Sequence, residues 1–281
     1  MAGSASFDVV IPAHNTPAGM LDRAVASAAG AASIIVVDDG SASPIDRGDA
    51  IVIRHETARG PAAARNAGIA RTSAEWVVLL DDDDELLPAG VRERIELATA
   101  LDAVAACGPR VEVVEGDERV RSMPGDWPSD RLPGWWACFR PVTIFGCSGW
   151  VIRRDAAIAH AMDESLWIGE DRDFFAKLAS AGTVAVGATL AARCTIRSDG
   201  NLTSAAHLGR RVRDHAVLVR RWIAPESEAD LRAATMWLGN QCSKAGVDRE
   251  TWSVLQALCV EHGWRLPMKS RVRRAMRRGS P

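Results

Sequence analysis

Apolar residues in the first third of the chain come in short continuous runs, without strict alternation. "FDVVIPAHN" (7–15), "SIIVVDDGS" (33–41), "AIVIRH" (50–55) and "EWVVLL" (75–80) are rich in β-branched residues and end in turn formers. Each reads as a buried strand. Between them lie segments of helical length. Pro17 can open a helix through about Gly30, with Met20, Leu21 and Val25 on one face, and the Ala-rich stretch 60–72 is helical despite its glycines. Strands apolar along their whole length and separated by helices predict a parallel sheet covered on both faces. Ligands of such sheets sit at the carboxyl ends of the strands. His14-Asn15, Asp38-Asp39 and Asp81 to Asp84 all fall at those ends, so three polar clusters converge on one rim.

The pattern loosens after a helix from Pro88 to about Leu101. Val111 to Val120 reads as a strand pair, 123–141 as a Pro/Trp-rich loop, and 142–154 as a returning strand followed by a short helix. "GEDRDFFAKLASAG" (169–182) is an amphipathic helix with Phe174, Phe175 and Leu178 inward, and 183–197 is strand-like again. From about Leu208 the chain reads as helical, ending in a basic tail, with no internal repeat or low-complexity linker. The expected organisation is a domain over 1–207, with halves 1–101 and 102–207, and a helical extension over 208–281 packed against it.

Composition adds limits. A hydrophobic share of 47% and a charged share of 25% over 281 residues are ordinary globular values. Lysine is scarce and arginine and alanine abundant, which reflects the codon bias of a GC-rich bacterial or phage genome. The six cysteines show no metal-finger spacing, so free buried thiols in a reducing compartment are expected. There is no signal-peptide pattern, and no apolar stretch nears the roughly 18 to 20 residues that span a bilayer. The expected location is the cytoplasm.

"LLDDDDE" (79–85) concentrates the chemistry. Four adjacent carboxylates repel one another, so they form either a solvated acidic turn or a site for a cation. The first βα turn reads "PAHNTPAG" and carries neither GxGxxG nor a Walker A pattern. A rim of carboxylates suits a nucleotide held through a divalent cation, since Mg²⁺ and Mn²⁺ take oxygen ligands, commonly one or two carboxylates plus substrate phosphates.

"VVIPAHN", "VVDDGS", "GPAAARNAGI", "LLDDDDE" and "GEDRDFFAKLASAG", in this order, resemble the family-2 inverting glycosyltransferases of the GT-A fold, over roughly residues 7–205. The resemblance implies an α/β fold with a nucleotide-binding sheet flanked by helices, a nucleotide-diphosphate sugar donor with UDP-sugar as the default, and a Mn²⁺ or Mg²⁺ cofactor. Pro12 and Ala13 would line the nucleoside pocket, and Asp39, with Asp38 beside it, would accept hydrogen bonds from base or ribose. Arg65 would lie near the phosphates. Asp83 would ligate the metal, and Asp81 the metal or ribose. Residues two apart in an extended segment point the same way, so both would face one cation, with Asp82 turned away and Asp84 or Glu85 capping the next helix. Asp171 would be the general base, with Glu170 contacting the acceptor. Arg197, Asn201 and His207 would reach the diphosphate or form a lid, with His207 also a candidate metal ligand.

Each position also has a plainer reading: an Asp-Gly turn, a solvated arginine, a helix cap, a polar loop. Trp127, Trp135, Trp136, Trp150 and Trp167 suit either an acceptor platform, with Trp135 and Trp136 foremost, or a tryptophan-filled core in a chain without tyrosine. The acceptor is a glycan, a lipid-linked or a small molecule. The tail residues Lys269, Arg271, Arg273, Arg274, Arg277 and Arg278 either dock on an anionic membrane surface or stay solvated, and specific nucleic-acid binding is not expected. Competing functions are a nucleotidyltransferase, which would need a Gly-rich basic loop after the first strand, and a catalytically inactive sugar-nucleotide-binding protein.

Overall fold

The computed structural model describes residues 5–122, 146–197, 205–225 and 227–266. The four apolar runs become β1 (Phe7–Ala13), β2 (Ser33–Asp39), β3 (Ile51–His55) and β4 (Trp76–Leu79). The helices between them are α1 (Ala18–Ser27) and α2 (Pro61–Arg71). There follow β5 (Glu85–Leu86), α3 (Pro88–Ala100), β6 (Ala105–Cys107), β7 (Arg110–Val114), β8 (Asp117–Arg121), β9 (Val151–Arg153) and α4 (Arg154–Ala159). The chain continues through α5 (Glu170–Ala181), β10 (Val184–Val186) and β11 (Ala192–Ile196). A 3₁₀ turn (Ala205–His207) leads into α6 (Leu208–Trp222), α7 (Glu228–Ala245) and α8 (Arg249–Glu261).

A seven-stranded sheet runs β10-β6-β9-β4-β1-β2-β3. Strands β1 to β4 pair in parallel as expected, and β9 runs antiparallel between β4 and β6. This one sheet takes strands from both sides of the 101/102 boundary. Both faces are buried, which is why the strands are apolar throughout. Val10, Val77 and Leu79 pack with Ile69, Phe174 and Phe175, while Val9, Ile11 and Val78 pack with Leu21, Val25, Val91 and Ile95. Gly68 explains one glycine of α2: a Cβ there would lie 2.3 Å from Val10 Cγ1, so the helix rests directly on the sheet.

Two expectations change. Among the described residues, strand structure within 142–154 is confined to Val151–Arg153. Gly146 to Trp150 instead turn over the end of β4, with the Gly149 amide donating to the Leu79 carbonyl at 2.9 Å. The stretch 183–197 is two strands in two sheets. It breaks at Gly187, where the Glu93 carboxylate accepts the Ala188 and Thr189 amides (3.1 and 2.7 Å). Strand β10 stays beside β6, and β11 enters a second sheet ordered β5-β11-β7-β8.

Helices α6 to α8 share an apolar cluster that includes Leu166 and Ala176 of the preceding region together with Leu208, Val212, Val219, Leu231 and Leu255. The extension therefore packs on α5. Cys107, Cys147, Cys194, Cys242 and Cys259 are buried free thiols; Cys138 lies outside the described residues. No described helix is long and apolar enough to cross a membrane.

Candidate active site

The sheet register aligns Ala13 with Asp38 and Asp39 with His55, bringing the carboxyl ends of β1, β2 and β3 level. Pro12 is half-buried and Ala13 buried at this edge. Beyond them His14 Nδ1 lies 2.7 Å from the Asp39 carbonyl oxygen, and the Asn15 side chain accepts the Ala42 amide at 2.9 Å. Asp38 is completely buried and accepts the Ser41 and Ile45 amides (2.9 and 3.0 Å) and the Arg54 guanidinium. Burial opposes its charge, but the bonds from Ser41, Ile45 and Arg54 prevail and hold its pKa below the usual value. With no exposed surface, Asp38 anchors the 41–45 loop beside the rim. Asp39 accepts from His55 Nδ1 (2.7 Å) and from the Arg59 and Gly60 amides (2.9 and 2.8 Å), and 5% of its surface remains exposed.

Arg65 is the junction of the site. It lies one turn into α2, almost fully buried, and its two terminal nitrogens point to different motifs. Nη1 donates to Glu170 Oε1 at 2.8 Å and Nη2 to Asp81 Oδ1 at 2.7 Å. A solvated helical arginine is thereby excluded. Beyond the expected place near phosphates, Arg65 joins the acidic turn to the helix bearing Glu170 and Asp171, a link that no local sequence pattern carries.

The four aspartates form a tight turn, with the Asp84 amide donating to the Asp81 carbonyl at 3.2 Å. The segment is thus a turn and not the expected extended stretch, and each of the four side chains has a different partner. Asp81 faces Arg65. Asp82 takes a hydrogen bond from Thr16 Oγ1. Asp83 lies 3.7 Å from Arg197 Nη1, and burial, then Asp81 and Asp82, push its pKa up to about 6. Asp84 is buried and accepts from Ser148 Oγ (2.5 Å) and the Thr195 amide (2.8 Å); burial, then Asp81, raise its pKa to about 8. Neither Asp84 nor Glu85 caps α3, whose N-cap is Leu87 with Pro88 following; Glu85 pairs with Arg23 at 3.3 Å.

Helix α5 opens at Gly169, which sits in the left-handed region (φ +89°) with no side-chain cap. Its first turn holds three acids that diverge. Glu170 is buried against Arg65; burial and the neighbouring Asp171 raise its pKa to about 7 even so. Asp171 is half-buried and accepts the Arg172 amide at 2.8 Å; it is the second residue inside a helix whose N-cap is Gly169, so it is not the cap. Asp173 is fully buried and turns to α6, accepting from Arg221 Nη1 (2.7 Å) and Trp222 Nε1 (2.9 Å).

Of the remaining candidates, Trp150 belongs to the core, stacked on Phe175 with ring centroids 3.6 Å apart. Trp167 lies between Gly60 and Arg210, whose guanidinium carbon is 5.2 Å from a Trp167 ring centroid. His207 is exposed just before α6. Trp127, Trp135, Trp136, Asn201 and the basic tail lie outside the described residues. Among those described, no group of three or more His, Cys, Asp or Glu side chains is gathered as a metal cage.

Residues 8–160, more than half of the chain, match the profile of Glycosyl transferase family 2. The chain belongs to this family. The match spans the rim, Arg65 and the acidic turn and ends before Glu170 and Asp171. A pre-mycofactocin glycosyltransferase of Mycobacterium tuberculosis is 34% identical over 191 residues, 62% of this chain and 39% of the relative. The succinoglycan biosynthesis protein ExoO of Rhizobium meliloti is 34% identical over 135 residues, 44% of this chain and 38% of the relative. The chain thus spans about two fifths of the length of these relatives. Among solved structures, S. aureus TarS 1–349 in complex with UDP-GlcNAc superposes with a TM-score of 0.57 at 16% identity, over 92% of this chain and 72% of TarS. The UDP complex gives 0.56 at 14% identity, over 98% and 92%. The shared fold is of the GT-A type.

Proposed function

We propose that the chain is a metal-dependent inverting glycosyltransferase that moves a sugar from a nucleotide-diphosphate donor, UDP-sugar by preference, to an acceptor hydroxyl. The observation that carries this reading is Arg65 bridging Asp81 and Glu170. One buried guanidinium ties the acidic turn, where a diphosphate and cation would sit, to the helix start where a base would sit. The nucleotide is favoured as UDP because the TarS structures are complexes with UDP-GlcNAc and UDP.

The residues present fit Mn²⁺ or Mg²⁺. Asp81 and Asp83 offer hard oxygen donors, and the pKa of Asp83, raised by burial and its acidic neighbours, marks a charge that a cation would stabilise. One or two carboxylates with substrate phosphates form an ordinary site for such ions, so no larger cage is needed. When bound, the ion would neutralise charge on the leaving diphosphate. Pro12, Ala13 and Asp39 would border the nucleoside, with Asp38 holding the loop beside it. In the transfer, the acceptor oxygen bonds to the anomeric carbon on the face opposite the leaving group and its proton passes to the Asp171 carboxylate. The bond from anomeric carbon to phosphate oxygen breaks with its electron pair on the nucleoside diphosphate. Glu170 orients Arg65 and borders the acceptor.

Calorimetry of UDP tests the donor half. Wild type should bind UDP at least about tenfold more tightly with Mn²⁺, a coupling of about 1.4 kcal/mol, and Asp83→Ala should lose that gain. Equal affinity with and without Mn²⁺ in both proteins rejects the metal role. The tail, beyond the donor site in sequence, is assigned to contact with an anionic membrane on the cytoplasmic face. Truncation after Pro267 should leave Mn²⁺-dependent hydrolysis of UDP-GlcNAc near wild type and abolish sedimentation with phosphatidylserine vesicles. Loss of hydrolysis in the folded truncation would place the tail in the active site.

A further inference from the structure

We infer that Asp214, on the helical extension, is a positioning residue for the catalytic turn, and that α6 is therefore part of the active-site scaffold; its catalytic consequence rests on the reading above. Asp214 is buried, and its Oδ2 accepts two consecutive backbone amides, Trp167 (3.1 Å) and Ile168 (3.0 Å). These are the last residues before Gly169, Glu170 and Asp171. Amides just ahead of a helix have no intrahelical carbonyl to bond, and a carboxylate at a helix N-terminus is also favoured by the dipole. Asp214 supplies both, from a helix more than 40 residues downstream.

The extension holds the turn at two further points. Leu218 packs so closely on Gly169 that a Cβ there would lie 2.9 Å from Leu218 Cδ1, so α6 touches the backbone of the turn itself. On the far side, Asp173 is fixed by Arg221 and Trp222. Arg210 adds a third element: it lies 3.4 Å from Asp214, reaches the Ser165 carbonyl (3.2 Å) and covers the Trp167 ring. Trp167 in turn lies against Gly60, whose amide donates to Asp39. Residues 165–173 are thus clamped before and after Glu170 and Asp171 by one helix, while Glu170 faces Arg65 on the opposite side. A misplacement of about 1 Å at a reacting group can cost about 10²-fold in rate, so this clamp bears on turnover.

The test uses full-length wild type, Asp214→Ala and Asp214→Asn. Hydrogen exchange is read at the Trp167 and Ile168 amides, and Mn²⁺-dependent hydrolysis of UDP-GlcNAc as a split between kcat and KM. In Asp214→Ala, exchange at both amides should accelerate at least about tenfold as the turn opens locally. The kcat should fall by about 10- to 100-fold with KM within about twofold. Asp214→Asn, whose amide oxygen can still accept both bonds, should recover most of each loss. Unchanged exchange at Trp167 and Ile168 in Asp214→Ala overturns the clamp. Accelerated exchange with unchanged kcat overturns its catalytic consequence, as does an Asparagine variant no better than Alanine. Exchange needs no turnover, so a wild type that hydrolyses no sugar nucleotide counts against the glycosyl-transfer reading alone.

Discussion

Asp171→Asn should lower sugar transfer by about 10²- to 10⁴-fold, the usual cost of removing a general base, with UDP affinity and melting temperature close to wild type. The local structure allows so clean a loss. Asp171 is half-buried, it is not the helix cap, and its hydrogen bond from the Arg172 amide can be accepted equally well by an asparagine oxygen. Only basicity is removed. Glu170 is the obvious rival, one residue away and with a pKa raised to about 7. Its carboxylate is engaged by Arg65 at 2.8 Å and is buried, so a proton taken from the acceptor would have to displace part of that ion pair. Single-turnover transfer by Asp171→Asn and Glu170→Gln decides between them. If Glu170→Gln abolishes transfer and Asp171→Asn retains it, the base is Glu170.

The parts of the site written in local pattern were legible in the sequence. Continuous apolar runs located β1 to β4, and the polar residues ending those runs located the rim. The inward face of Phe174, Phe175 and Leu178 followed from helical spacing, and all three are fully buried. What escaped depends on backbone turns or on tertiary partners. Strand geometry gives Asp81, Asp82 and Asp83 alternating directions, yet the chain turns there, and the four side chains from Asp81 to Asp84 each meet a different partner: Arg65, Thr16, Arg197 or Ser148. Asp38 and Asp39 look alike as neighbours at a strand end, but consecutive strand residues face opposite ways, so one anchors the 41–45 loop and the other the 59–60 loop. The break within 183–197 was hidden because both halves are apolar and only the sheet each joins differs. Asp214 carried no signal in helical spacing: it lies two residues from both Val212 and Ala216, on the opposite face of α6 from them, and is buried there all the same. Its partners, two backbone amides of another segment, leave no trace in side-chain pattern.

Removing Arg65 should damage stability and donor binding together, and the damage should grow with pH. Arg65→Met keeps much of the apolar stem and removes the guanidinium, leaving Glu170 buried and Asp81 two-thirds buried without their cation. Breaking a buried ion pair from one side typically costs about 3–5 kcal/mol, which for a chain of this size corresponds to a fall in melting temperature of roughly 10 °C. Glu170 sets the pH dependence. Its folded pKa already lies above its ordinary value, so its contribution to stability is fully present below about pH 4.5 and is lost as pH rises through about 7. Without Arg65 its pKa moves higher still. At pH 5.5 Glu170 is protonated in wild type and variant alike, so much of the loss is avoided. At pH 8 ionisation of a buried carboxyl without a partner opposes folding, so the gap between wild type and variant should widen. Arg65→Lys should fall between them, since one ammonium supplies charge but cannot span both carboxylates as a guanidinium fork does. Melting curves of the three proteins at pH 5.5 and pH 8, with UDP calorimetry at pH 8, measure each part. A gap of the same size at both pH values would show that the loss comes from packing, and that the charge bridge between the acidic turn and α5 is not what holds the site together.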